Sequence, residues 1–154
     1  MLVTISMIVS FLSIALLLVA AYRDVTTFTI PNRLCVGVAA LATIQLIAAL
    51  DFDAALYTIA VGIIVFLIGL LLFQRGYLGG GDVKMLSATV LLVGCYNVLP
   101  FLACMSIAGG FVALIVFGRN KLAPKPTPRL VPYGVAIASA GIAMMLHHNF
   151  NLFG

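Results

Sequence analysis

The sequence predicts an all-α polytopic membrane protein of about six transmembrane helices, with both termini on the extracytoplasmic side. Three observations carry this expectation. Hydrophobic residues make up 64% of the 154 residues and charged residues only 8%, a balance too poor in charge for a water-soluble domain of this size. Apolar runs long enough to cross a bilayer recur from one end of the chain to the other. The Lys and Arg residues fall only in alternate connectors between those runs.

The first run covers residues 2–22 without a charge and stops at Arg23-Asp24. Val19-Ala20-Ala21 resembles a signal-peptide cleavage site. The run has no positive flank before it and exceeds a usual signal core, so it is expected to be a retained span. The connector from Val25 to Ile30 is rich in β-branched residues and leads into Pro31, which disfavours helix at Ile30. Pro31 or Asn32, the latter a candidate cap, then opens a second span over roughly 33–50. Asp51-Phe52-Asp53 separates it from a third span over about 54–73, which ends at Gln74-Arg75. A fourth, shorter span starts near Asp82 and runs to about Gly94, before a reversal at Cys95-Tyr96-Asn97. Pro100 suits the first turn of a fifth span reaching Phe117, in which Ser106, Gly109 and Gly110 form a small-residue face for close helix packing. Prolines spaced through the basic connector 119–129 predict an extended, exposed segment. The sixth span opens at Val131-Pro132-Tyr133-Gly134 and ends near His147-His148. Residues 1–154 are thus expected to form a single membrane-embedded domain with no separate soluble domain.

Six spans make the charges segregate. The first, third and fifth connectors hold Arg23 and Arg33, then Arg75 and Lys84, then Arg119, Lys121, Lys125 and Arg129. Basic connectors face the cytoplasm, which places the protein in the cytoplasmic (inner) membrane and leaves Asp51, Asp53 and the histidines on the far side. The basic residues carry no aromatic interleaving, so nucleic acid is not an expected partner, whereas anionic membrane lipid near the basic connectors is. Cys35, Cys95 and Cys104 form no C-x-x-C pair and read as small core hydrophobes rather than zinc ligands or disulfides.

With no glutamate in the chain, this topology leaves one same-side pair of carboxylates, Asp24 at the end of the first span and Asp82 at the start of the fourth. An ionisable residue at the edge of the hydrocarbon is a functional-site hypothesis, and two carboxylates sharing a site divide the roles of general base and general acid. Asp24 lies near a helix C-terminus, which disfavours an anion, and Asp82 near an N-terminus, which favours one, so Asp82 is expected to be the more readily ionised. The glycines Gly79, Gly80 and Gly81 before Asp82 offer backbone that an extended chain can approach.

Asp24 followed by Ile30-Pro31-Asn32, then Gly79-x-Gly81-Asp82-Val83-Lys84, then Pro132-Tyr133-Gly134, resembles the type IV prepilin peptidases, intramembrane aspartic peptidases of the GxGD class. The resemblance spans the chain from the first span to the sixth. It implies that Asp24 and Asp82 are catalytic and that Gly79, Gly80, Gly81, Lys84, Pro31, Asn32, Pro132, Tyr133 and Gly134 bind substrate or support the site. It further implies that the substrate is a type IV prepilin or pseudopilin with a short cytoplasmic leader before a hydrophobic helix. Leader removal by direct water attack follows, with no cofactor and no metal. Larger members carry a cytoplasmic domain with paired cysteines associated with N-methylation. This chain lacks that pattern and resembles the short, peptidase-only form of tight-adherence (Flp) pilus systems, while archaeal preflagellin peptidases share the catalytic pattern.

The same carboxylates admit other chemistry. They could relay protons or a cation in a small membrane transporter, although transport carboxylates usually sit near mid-membrane and these flank span ends. His147-His148 reads as an interfacial anchor rather than a metal site.

Overall fold

A computed structural model describes residues 2–122 and 132–153, with side chains from 4–118 and 132–149. The described chain is helical: α1 (Leu2–Thr27), α2 (Asn32–Ala49), α3 (Phe52–Gln74), α4 (Gly80–Val93), α5 (Val98–Leu122) and α6 (Tyr133–Phe153), with a 3₁₀ turn at Cys95–Asn97. The basic proline-rich connector lies largely outside the described residues. Among those described, four helices are long and apolar enough to cross a membrane: Thr4–Thr27, Asn32–Ala49, Phe52–Gln74 and Cys95–Gly118. The 14 residues of α4 rise only about 21 Å, short of the span length.

Three boundaries differ from the sequence reading for local reasons. Helix α1 runs past Asp24 to Thr27 because the Thr26 and Thr27 hydroxyls donate to the carbonyls of Tyr22 (2.9 Å) and Arg23 (2.8 Å). Phe28 N–H then closes on Asp24 O at 2.9 Å, and Phe28 turns the chain with φ 49°. Asn32 is the first residue of α2 rather than its cap; Pro31 takes the cap position in extended conformation without a side-chain bond. Helix α6 continues beyond His148 to Phe153. Other ends follow ordinary capping. The Asp51 side chain accepts from Ala54 N–H at 2.9 Å to start α3, and Gly94, at φ 77°, ends α4.

The packing has a simple plan. Helices α1, α2, α4 and α6 form a closed ring in which α1 packs on α2 and α6, and α4 packs on the same two. Helices α1 and α4 are therefore diagonal to one another. Helix α3 lies outside the ring against α4, and α5 lies outside it against α6. The centre of the ring is filled by fully buried Leu17, Val38, Met85, Val90 and Ile137, one or more from each ring helix. Gly141 of α6 faces Leu17 of α1 and Thr89 of α4. A Cβ there would sit 2.8 Å from Thr89 Cγ2 and 3.0 Å from Leu17 Cδ1, so its absence lets both diagonal helices pack closely on α6. The expected packing face of α5 does not form at Ser106 and Gly110: both are exposed, and among the described residues nothing lies within 4 Å of where a Cβ on Gly110 would stand, while one on Gly109 would meet Ala136 of α6 at 3.7 Å. Large apolar residues such as Phe11, Ile63, Leu67, Phe111 and Leu114 point outward, as they do where the surrounding medium is lipid.

Helix directions alternate, so the two ends of the bundle differ. One end collects the C-termini of α1 and α3 and the N-termini of α2, α4 and α6, and with them Arg23, Asp24, Arg33, Arg75, Asp82 and Lys84. The other end holds Asp51, Asp53 and the approach of Ser6 Oγ to His148 Nε2 at 3.4 Å. In detergent, Gly141→Ala should lower stability by about 1–3 kcal/mol through overpacking, whereas Gly110→Ala should be neutral or slightly stabilising. Thermal unfolding of the two variants checks this, and equal effects would contradict the packing described.

Candidate active site

The site lies at the basic end of the ring and is built around Ile30. The chain leaves α1 at Thr27, reverses at Phe28 and drops Ile30 back into the bundle, where it is 7% exposed. Two glycines make room for it. A Cβ on Gly81, at the start of α4, would lie 3.2 Å from Ile30 O and 3.3 Å from Ile30 Cβ. A Cβ on Gly134, at the start of α6, would lie 2.7 Å from Ile30 Cδ1 and 2.7 Å from Asp24 Oδ2. One apolar side chain thus fixes where three helix ends meet, and Asp24 is clamped against the same Gly134 backbone.

Asp24 is 4% exposed, and its Oδ2 has no hydrogen-bond partner among the described residues. The backbone N–H groups of Gly134 and Val135 face the carboxylate. This alters the balance drawn from the sequence. Asp24 does stand near the C-terminal end of its own helix, but it also stands at the N-terminal end of α6, where the dipole favours an anion. Both carboxylates therefore sit at helix N-termini, Asp82 at its own and Asp24 at another's. Pro132 and Tyr133, both half-buried, lead into that first turn.

Asp82 is the third residue of α4 and half-buried. Its Oδ2 accepts from Gly79 N–H at 3.2 Å, so the side chain folds back over the entry to the helix. A Cβ on Gly79 would lie 2.9 Å from that same oxygen. Gly80 has more room, since its Cβ would make ordinary contact with the Phe73 ring at 3.4 Å. The G-x-G-D spacing thus has a steric reading: the outer glycines face Asp82 and Ile30, and the middle position is the tolerant one. The Cβ positions of Gly79 and Gly81 point at the protein's own atoms rather than at open space, so the glycines shape the site from within.

Asp82 lies close enough to Asp24 for the two charges to interact. The remaining residues expected at the site tie α2 to α4. Lys84 Nζ donates to Asn32 Oδ1 at 3.0 Å, and Cys35 Sγ lies 3.8 Å from Gly81 O. Two contributors were not singled out by sequence reasoning. Ile30 was quoted only as part of a motif, although its place before Pro31 and between two polar stretches was a signal. Cys35 reads as a core residue from sequence, and nothing local to it marks the approach to Gly81. Among the described residues, no three His, Cys, Asp or Glu side chains gather as metal ligands would.

The arrangement offers two carboxyl groups from diagonal helices, one deeply buried and one partly open, at one end of an apolar bundle. No curated protein and no solved structure matches the chain. A family model does: that of the type IV leader peptidase family matches residues 11–114, well over half of the chain, in a stretch that includes Asp24, Ile30-Pro31-Asn32 and Gly79–Lys84. The paired acids thus lie within the matched stretch, and the chain belongs to the type IV leader peptidase family.

Proposed function

We propose that the protein is an aspartic endopeptidase of the cytoplasmic membrane that removes the leader from type IV prepilin or pseudopilin precursors, with Asp24 and Asp82 as its catalytic pair. The observation that carries this reading is the burial of Asp24, with an unpartnered oxygen, beside a second carboxylate of a different helix. A purely structural acid at a span end would be expected in water or in an ion pair. Six passes through the bilayer, with the basic end in the cytoplasm, would bring the site to the side on which a cytoplasmic leader lies.

The chemistry follows from one proton shared between two acids. The ionised carboxylate takes a proton from water as the oxygen attacks the scissile carbonyl carbon, while the protonated partner donates to the carbonyl oxygen. The tetrahedral diol collapses as its C–N bond breaks. A carboxyl group protonates the departing amine, and the other regains a proton from the diol hydroxyl. No acyl-enzyme forms, because neither carboxylate attacks carbon. Lys84 and Asn32 brace α4 against α2, and Gly134 holds α6 close to Asp24; these are positioning roles.

Co-expression with a prepilin and gel analysis of leader removal tests the pair. Asp24→Asn and Asp82→Asn should each lower cleavage by roughly 10²–10⁴-fold, the usual contribution of a general acid or base. Leader removal that survives both substitutions would refute the reading. The glycine geometry gives a second expectation. Gly81→Ala pushes on the backbone of Ile30 and should cost roughly tenfold or more in rate, since small misplacements of reacting groups are expensive. Gly80→Ala should stay near wild type. Equal tolerance at both positions in the same cleavage assay would show that the Ile30 contact does not set the site.

A further inference from the structure

Helices α2 and α3 are consecutive and joined only by Leu50-Asp51, yet they splay apart. Each packs along α4, and they scarcely touch each other. The gap between them is a cleft floored by one face of α4. Its upper part is an open void of about 440 Å³ bordered by Lys84, Ser87 and Ala88, with Val36 and Phe66 among its walls. Its lower part, about 400 Å³, runs between Ile47 and Ile59. Leu91 borders both parts and stands between them, reaching across to Gly62 of α3. Lys84, Ser87, Ala88 and Leu91 fall at helical spacings of three and four, a single stripe along α4.

The length and lining of the cleft match a helix. It follows α2 from Asn32 to Leu50, a rise of about 27 Å, close to the hydrocarbon thickness of a bilayer at about 30 Å. Its floor is small where a second helix would press closest, at Ser87 and Ala88, and the Ser87 hydroxyl is already bonded back to Val83 O at 3.0 Å. Small residues and satisfied hydroxyls are what close helix packing in lipid requires. One end is polar and belongs to the site: the Lys84–Asn32 pair lies at the cleft mouth, two residues from Asp82.

We propose that this cleft seats the hydrophobic helix of the substrate, parallel to α2 and α4, so that the peptide bond preceding that helix emerges beside Asp82. The proposal rests on the leader-peptidase reading above, in which the cleaved bond comes just before a membrane helix. The polar end favours a substrate helix over a lipid chain, because the cleft runs up to the Lys84–Asn32 pair that braces the start of α4, the turn that carries Asp82. The α2–α3 opening is also the approach to α4 that crosses neither α1 nor α6, so a helix can enter from the bilayer without separating the ring.

Photo-crosslinking in membranes tests this with the full chain and a full-length prepilin. A benzophenone amino acid at Phe66 or Val36, in an Asp24→Asn background that retains uncleaved substrate, should crosslink to the prepilin helix. The same probe at Leu114, exposed on α5, should not. In the otherwise wild-type enzyme, Ala88→Trp fills the floor and should lower cleavage roughly tenfold or more, with unfolding in detergent measured alongside. Should that variant fail to fold, the crosslinks decide. Crosslinking to lipid alone at Phe66 and Val36, with Asp24→Asn still abolishing cleavage, would overturn the cleft while leaving the peptidase reading intact. Cleavage that persists in both aspartate variants, whatever the crosslinks show, would instead remove the peptidase reading.

Discussion

Asp24 and Asp82 project from helices that do not pack along each other, so no direct α1–α4 interface sets their spacing. That spacing is delegated to what lies between them. Ile30 fills the corner, Gly81 and Gly134 yield the volume of a methyl group each, and the first turn of α6 closes on Asp24. Close packing transmits such adjustments because interiors hold few voids. The position of each acid is therefore a property of the corner as a whole, Ile30 and the two glycines included.

The same corner explains how a carboxylate is kept in an apolar bundle. Burial of a charge is costly unless dipoles or hydrogen bonds answer it. Asp82 uses the N–H of Gly79, and Asp24 meets the N–H groups at the head of α6. These contacts are backbone ones, which side-chain substitution does not delete, and they leave one oxygen of Asp24 unpartnered. A site built this way keeps acceptor capacity in reserve for a donor such as water without surrounding its acids with competing cations.

Much of this was legible in the amino-acid sequence because apolar periodicity and charge are local signals. The order and approximate limits of six helices, and the gathering of Asp24 with Asp82, could be read from where the runs stop. Capping details were less accessible. The Val25-Thr26-Thr27 stretch looks extended by propensity, and only the back-bonded threonine hydroxyls reveal why α1 continues. Asn32 resembles a cap until Lys84, 52 residues away, claims its oxygen. The glycines before Asp82 signal close approach, but sequence cannot say what approaches; the answer is Ile30 and Asp82 itself. Gly109-Gly110 carries an equally suggestive pattern and packs on little, because α5 lies outside the ring. Which helices are neighbours depends on non-local contact, and that information is spread over the whole chain.

The placement of α3 and α5 on the periphery divides mechanical duties. Neither closes the four-helix circuit that carries the two acids, and each leans mainly on one member of it. Helix α3 is fastened to α4, with Gly62 against Leu91, Gly69 against Val83 and Cys95 N–H donating to Thr58 Oγ1 at 3.0 Å, and it borders α2 across an open gap. The opening toward lipid and the spacing of the two acids thus belong to different helix pairs: α3 with α2 frames the one, and the inner four hold the other.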